Sequence, residues 1–251
     1  MYYAASTAAR LGASVGVLTA GAGEVEALRA LPNTVVVSLD ARKSTSFENV
    51  YEAGGRRQYL RALAPSIPVD LIPAEWSKAP VVLLAPVADE LPAAMFRAFP
   101  RSLLAVSPQG CMRRLAIGEE VHLKPWDRAL EVLPQVAAAV FSEEDVGGHF
   151  AGWLRYCGPI LAMTRGRAGC ELIVCGKHRQ VAGFPSDEID PTGAGDVFAA
   201  AFMLKLREVR EPIEAARFAN CVASFSVAGR GTDTLPSPEQ VHARLTSWTS
   251  S

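Results

Sequence analysis

Short apolar runs rich in β-branched residues recur along the chain, separated by stretches with helical spacing. The runs are Val15–Thr19, Val81–Ala85, Leu103–Ser107, Ala138–Phe141, Ile160–Thr164 and Glu171–Cys175. Their length and composition predict buried strands. Ala88–Phe99, Trp126–Val136 and Gly147–Tyr156 predict helices between several of them. Strands apolar on both faces, joined by helical crossovers, predict an α/β fold with a mostly parallel sheet covered on both sides. Ligands then collect beyond the C-terminal ends of the strands. One segment breaks the alternation. From Thr34 to Leu71 come Val-Val-Val, a polar stretch Asp40–Thr45, Ser46–Tyr51, a Gly54-Gly55 turn and Arg56-Arg57-Gln-Tyr59. That pattern predicts antiparallel hairpins, a β excursion over residues 34–71 inside a single domain of residues 1–251.

Composition narrows the classes. With 251 residues, 49% of them hydrophobic, the chain can bury a full α/β core. A net charge of −1 offers no field for nucleic acid or an anionic membrane. No apolar run approaches the roughly 20 residues that span a bilayer, and the first residues lack the basic region of a secretory signal. The five cysteines (111, 157, 170, 175 and 221) form no CxxC pair and read as reduced, mostly buried thiols of a cytoplasmic protein. The four histidines show no HxH or HExxH spacing, so zinc hydrolysis has no support.

The most informative stretch is Asp190-Pro-Thr-Gly-Ala-Gly-Asp196, followed by a helix whose apolar residues Val197, Ala200, Ala201 and Leu204 recur at helical spacing. A helix start presents free backbone N–H groups and the positive end of the dipole, which suit an anion. Gly193 and Gly195, with Ala194 between them, let the backbone approach a ligand closely. Asp196 stands beside that anion, placed to accept a proton from an attacking hydroxyl. An anion hole with an adjacent base is the equipment for phosphoryl transfer.

At these residues the chain resembles the PfkB/ribokinase family of small-molecule kinases, whose C-terminal signature reads D-T-x-G-A-G-D. The resemblance implies a ribokinase-like three-layer α/β/α sandwich with a small β lid, and ATP-dependent phosphorylation of a hydroxyl on a small polyol. It identifies residues 34–71 as the lid over the acceptor, where Phe47 and Asn49 would contact the substrate and where the family often makes a dimer contact. Thr164-Arg-Gly166-Arg-Ala-Gly169 matches the family's T-x-G-x-x-G on the nucleotide side, with Asn220 and Gly231 flanking the adenine. Backbone amides with Arg165 or Arg167 would hold phosphates there. Ser142-Glu-Glu144-Asp145 occupies the position of the family's N-x-x-E, which implies Mg²⁺ held through Glu144 or, across water, Asp145. Ser142 also reads as a plain helix N-cap. Asp190 and Thr192, with the Gly229–Gly231 backbone, stand where the family can hold K⁺.

The resemblance departs at the start. Counting back from Leu11-Gly12, the chain begins inside the family's first substrate motif, and Tyr3 falls where its Asn stands. About 30 to 50 family residues are expected upstream, judged from domain size. Tyr3 can stack on a ring where Asn would make two directed hydrogen bonds, which favours a cyclic polyol and the inositol-kinase-like branch. Three other readings stay open: a non-catalytic nucleotide- or sugar-sensing protein on the same fold, a kinase acting on a nucleoside or an aminosugar, and a dinucleotide-dependent oxidoreductase. The last would need GxGxxG after an early strand, which Gly21-Ala-Gly-Glu24 does not supply.

Overall fold

A computed structural model describes residues 1–52, 55–146 and 160–248, the side chains of residues 51, 52, 55 and 56 excepted. The strands are β1 (Val15–Gly21), β2 (Thr34–Asp40), β3 (Ser46–Glu52), β4 (Gly55–Ala62), β5 (Val81–Leu84), β6 (Leu103–Val106), β7 (Arg113–Arg114), β8 (His122–Leu123), β9 (Ala138–Ser142), β10 (Ile160–Thr164), β11 (Cys170–Val174) and β12 (Lys177–Val181). The longer helices are α1 (Tyr2–Arg10), α2 (Ala194–Val209), α3 (Pro212–Ser226) and α4 (Pro238–Ser247). Each of the six apolar runs forms a strand within two residues of its expected bounds.

Six strands make the central sheet, in the order β12-β11-β10-β9-β6-β5. Strands β5, β6, β9 and β10 run parallel, and β11 and β12 continue the sheet as an antiparallel ribbon. Successive side chains of a strand point to opposite faces. Accordingly Leu104, Val106, Ala139, Phe141, Leu161 and Met163 join one core with Met95, Phe96, Phe99 and Trp126. Ala105, Ala138, Val140 and Ala162 join the other, against Val197, Phe198 and Phe202 of α2. Alanines on that face make room for the two stacked phenylalanines, whose ring centroids lie 5.8 Å apart. The expected α/β sandwich with a mostly parallel sheet is therefore what this sequence forms.

Helix limits follow from local chemistry. α2 ends at Arg210 in the left-handed region (φ +56°). α3 starts where the Glu211 side chain accepts from the Glu214 amide, with Pro212 at its first position. α4 opens on a capping box between Ser237 and Gln240. No helix among the described residues is long and apolar enough to cross a membrane.

Three expectations are corrected. Thr34–Asp40 belongs to no hairpin: β2 pairs parallel with β1 over its full length, forming a separate two-stranded sheet. The hairpin is β3–β4 alone, and the Gly118–Val121 backbone extends it through Leu60 N to Glu119 O at 3.2 Å and Val121 N to Gln58 O at 2.7 Å. Ala88–Phe99 is not one helix but a 3₁₀ turn over Ala93–Arg97. Pro92 holds its predecessor out of the helical region, Asp89 sits at φ +57°, and the Glu90 carboxylate occupies the Val87 and Ala88 amides. Trp126–Val136 shrinks to one α-turn, Ala129–Val132, and a 3₁₀ turn, because Pro134 has no N–H to continue the ladder. The expected helix Gly147–Tyr156 lies outside the described residues.

Candidate active site

The start of α2 and the start of α1 converge. Gly193 caps α2 at φ +79°, a conformation that costs L-residues with a side chain. A Cβ there would stand 2.2 Å from Cγ of Tyr3. Ala194 donates to Pro191 O at 3.1 Å and Val197 to Gly193 O at 2.9 Å. Among the described residues, the Gly195 and Asp196 amides between them have no backbone acceptor outside the helix. These are the free donors that a helix N-terminus offers an anion. A Cβ on Gly195 would meet nothing within 4 Å, so this turn has open space in front of it.

Asp196 lies in the first turn of α2, and its Oδ2 accepts from the Met1 amino group at 2.7 Å. Tyr3 faces both acids of the signature. Burial raises its phenol above the ordinary range, and the Asp190 and Asp196 carboxylates push it further. Asp190 Oδ1 accepts from the Thr192 amide at 3.0 Å, and Thr192 holds the Asp190 carboxyl below its usual range, with Arg230 contributing. The Ile189 and Asp190 amides both donate to Val227 O, which lays this turn beside the Gly229–Gly231 loop. Gly231 is left-handed (φ +62°), with open space where a Cβ would be.

The residues expected on the nucleotide side fall into two groups. Thr164 ends β10 beside Ser142 at the end of β9. Gly166 is open, but Gly169 is not: a Cβ there would lie 2.2 Å from Val181 O, so that glycine permits two backbones to cross. Asn220 is buried, and its Nδ2 donates to Val181 O and Ala182 O at 3.0 Å each. Arg165 is held by Glu171 at 2.7 Å and faces Glu143 at 3.4 Å, and Glu171 also takes His178 Nδ1 at 2.5 Å. These residues brace the Arg165–Gly169 turn.

Glu144 is exposed on the single helical turn after β9, where Ser142 Oγ accepts its amide at 3.2 Å. Asp145 turns inward: its oxygens accept from Gln109 Nε2 at 3.1 and 3.2 Å, and Arg113 lies 3.8 Å away. Arg113 in turn covers the Phe47 ring at 5.8 Å, so Asp145, Gln109, Arg113 and Phe47 form one chain from the sheet to the hairpin. Asn49, two residues on, is exposed and accepts from Gln58 across the hairpin at 2.9 Å. Sequence reading missed Arg113. Gln109, just past the run Leu103–Ser107, had no partner in the sequence to mark it.

Residues 130–240 match the family model described as pfkB family carbohydrate kinase. An inositol 3-kinase of Zea mays is 31% identical over 134 residues, which is 52% of this chain and 32% of that protein. The first curated relatives are matched over only 21–32% of their own length. Among solved structures, a pyrophosphate-dependent kinase in the ribokinase family, complexed with a pyrophosphate analog and myo-inositol, superposes with a TM-score of 0.77 at 20% identity, over 96% of this chain and 89% of that one. Arabidopsis thaliana ribokinase complexed with ribose and ATP gives 0.72 at 18%, over 97% and 86%.

Proposed function

Because this chain belongs to the PfkB/ribokinase-like carbohydrate kinases, matched over residues 130–240, we propose that it transfers the terminal phosphoryl group of ATP to a hydroxyl of a sugar or cyclitol. The observation that carries the reading is Asp196 in the first turn of α2, with the unpaired Gly195 and Asp196 amides beside it and open space before Gly195. In this reading the amides take the charge that grows on the transferring phosphoryl oxygens. Asp196 orients the acceptor hydroxyl and accepts its proton while the hydroxyl oxygen forms the new bond to phosphorus and ADP departs. In this reading Tyr3, beside both acids, forms one wall for a cyclic acceptor, and Phe47 and Asn49 are the contacts the hairpin would supply.

The family implies Mg²⁺. Asp145 does not fit as a direct ligand, since Gln109 and Arg113 already engage it. Glu144, exposed beside Ser142, fits a water-mediated contact. Mg²⁺ bound there would neutralise donor phosphate charge. K⁺ fits the oxygen-rich pair of turns at Asp190–Thr192 and Gly229–Gly231.

Pyrophosphate is a second donor reading. Asn220, expected at the adenine, spends its amide on Val181 and Ala182, and a solved structural neighbour is a pyrophosphate-dependent kinase. The test is turnover of ATP and of pyrophosphate with Mg²⁺ and K⁺ against a panel of sugars, cyclitols and nucleosides, for the wild type and Asp196→Asn. One acceptor class turning over, with kcat about 10²- to 10⁴-fold lower in the variant and the donor still raising its Tm, is the expected result. Near-normal turnover in Asp196→Asn sinks the assignment of Asp196. Donor binding without transfer to any acceptor leaves the sensing protein instead.

A further inference from the structure

The two faces of the β3–β4 hairpin carry different arginine contacts. Residues directly opposite each other in an antiparallel pair share a face, and successive residues of a strand point to opposite faces. Glu48 stands opposite Tyr59. Arg57 and Arg61 cover the Tyr59 ring and pair with Glu120 and Glu48, and both arginine side chains are about half exposed. That is the outer face. Phe47 stands opposite Leu60, which is buried, so the Phe47 face is the inner one. There the ring meets Arg113, whose guanidinium lies 5.8 Å from its centre and whose side chain is only 10% exposed.

Arg113 comes from outside the hairpin and is fixed at its base. It opens β7, paired with Leu123 of β8, directly after the 3₁₀ turn Gln109–Met112. That turn is wedged in place. A Cβ on Gly110 would stand 2.4 Å from the Val87 carbonyl carbon, and the Gly110 amide donates to Pro86 O at 2.9 Å. The Lys124 amide donates to Met112 O at 2.8 Å from the other side. Asp145, itself 11% exposed, faces the guanidinium at 3.8 Å and accepts from Gln109 Nε2 at 3.1 Å. A buried charge pair commonly stabilises no better than well-packed apolar side chains, so stability alone gives little reason for this one. A cation against an aromatic face does give a reason, because it holds the ring in place and is strongest where water is excluded.

We propose that Arg113 is a positioning residue for the acceptor: it fixes Phe47 on the inner face of the hairpin, and Asp145 keeps Arg113 in place. This rests on the kinase reading, in which Phe47 contacts the sugar or cyclitol. Without the arginine, a phenylalanine on a two-stranded ribbon can take several rotamers. With it, the acceptor meets a wall already in position. Arg113 thereby acts on acceptor affinity through Phe47, without touching the acceptor itself. The device ties the hairpin to the turn that follows β9, since Asp145 belongs to that turn.

Steady-state kinetics test this with ATP or pyrophosphate as donor and myo-inositol, ribose or adenosine as acceptor. Removing the arginine alone would strand a buried carboxylate. The variant is therefore Arg113→Met/Asp145→Asn, in which the new amide oxygen still accepts from Gln109. Its acceptor KM should rise about 5- to 30-fold, the worth of a cation–π contact shielded from water. Its kcat and donor KM should stay within about twofold of wild type, the pattern of lost acceptor binding alone. In a Phe47→Leu background the same changes should move the acceptor KM by less than about twofold, because the ring through which Arg113 acts is gone. Where the double variant does not fold, Arg113→Lys is read in its place. It keeps the charge but loses the flat guanidinium, and the acceptor KM should rise about threefold, again only where Phe47 is present. An unchanged acceptor KM, an equal rise with and without Phe47, or a matching loss in kcat and donor KM would each overturn the proposal. No turnover of any acceptor by the wild-type chain would sink the kinase reading, and this role of Arg113 with it; turnover with an unmoved KM sinks the role alone.

Discussion

Replacing Gly193 with alanine tests how the start of α1 meets the signature turn. The backbone there is left-handed, at φ +79°. Forcing an L-residue into that region costs about 1–2 kcal/mol. The new methyl would also lie 2.2 to 2.5 Å from the Tyr3 ring, far inside ordinary contact, so the ring must leave. Giving up part of a large aromatic's burial costs about another 1–2 kcal/mol. Gly193→Ala should thus destabilise by roughly 2–4 kcal/mol in total. In a Tyr3→Ala background the ring is already gone and only the backbone cost of about 1–2 kcal/mol remains. Urea denaturation of the four proteins gives the coupling directly, and about 1–2 kcal/mol is expected, within the range known for residues in contact. Additivity to within about 0.5 kcal/mol would refute the contact between Tyr3 and the turn.

Asn220→Ala should cost roughly 2–4 kcal/mol, because it strips two carbonyls, Val181 O and Ala182 O, of their buried donor; a Tm within 1–2 °C of wild type, a near-zero change on the usual scale, would contradict it. The thiols give a pH prediction. Burial raises Cys170 from 9.0 to about 12, so the folded state keeps a proton that the unfolded state releases. Its effect is absent below about pH 9, and stability falls as pH climbs beyond that. The pH 8–11 decline in urea midpoint should be shallower in Cys170→Ala, and parallel curves would count against it. Of the four described cysteines Cys175 alone is exposed, so among these it should be the first alkylated under native conditions, as read by peptide mapping.

What could be read in advance depended on whether the signal was local. Val81–Leu84 and Ile160–Thr164 announce themselves as strands because apolar residues run through them without a polar break short of the terminal Thr164. β12, Lys-His-Arg-Gln-Val, has four exposed residues and gives no such signal, since its pairing with β11 decides it. β2 was visible as a run of valines, but its parallel partner β1 lies across Gly23–Arg29, and the polar segment after Asp40 invited a hairpin instead. The signature turn was legible because its glycines and acids are contiguous. The Asp145–Gln109–Arg113 chain was not: these side chains come from three points 4 to 36 residues apart, and only the fold brings them together. Asn220 was expected beside the adenine, but its two backbone partners lie 38 and 39 residues away.

The crossing of the Arg165–Gly169 turn over Val181–Gly183, clamped by Asn220, has a consequence for how binding distributes its entropy. That turn is ordered when the protein folds. Under the proposed function, a donor arriving there would meet a surface whose conformational freedom has already been given up, and its affinity would not be reduced by having to order it. The hairpin of β3 and β4 is held by buried Leu60 and Ala62, by the Arg57–Glu120 pair with the neighbouring ribbon, and by Arg113 over Phe47. Under the proposed function, any ordering cost of closing over a bound acceptor would fall on the hairpin rather than on the rigid turn, and acceptor discrimination would be decided there.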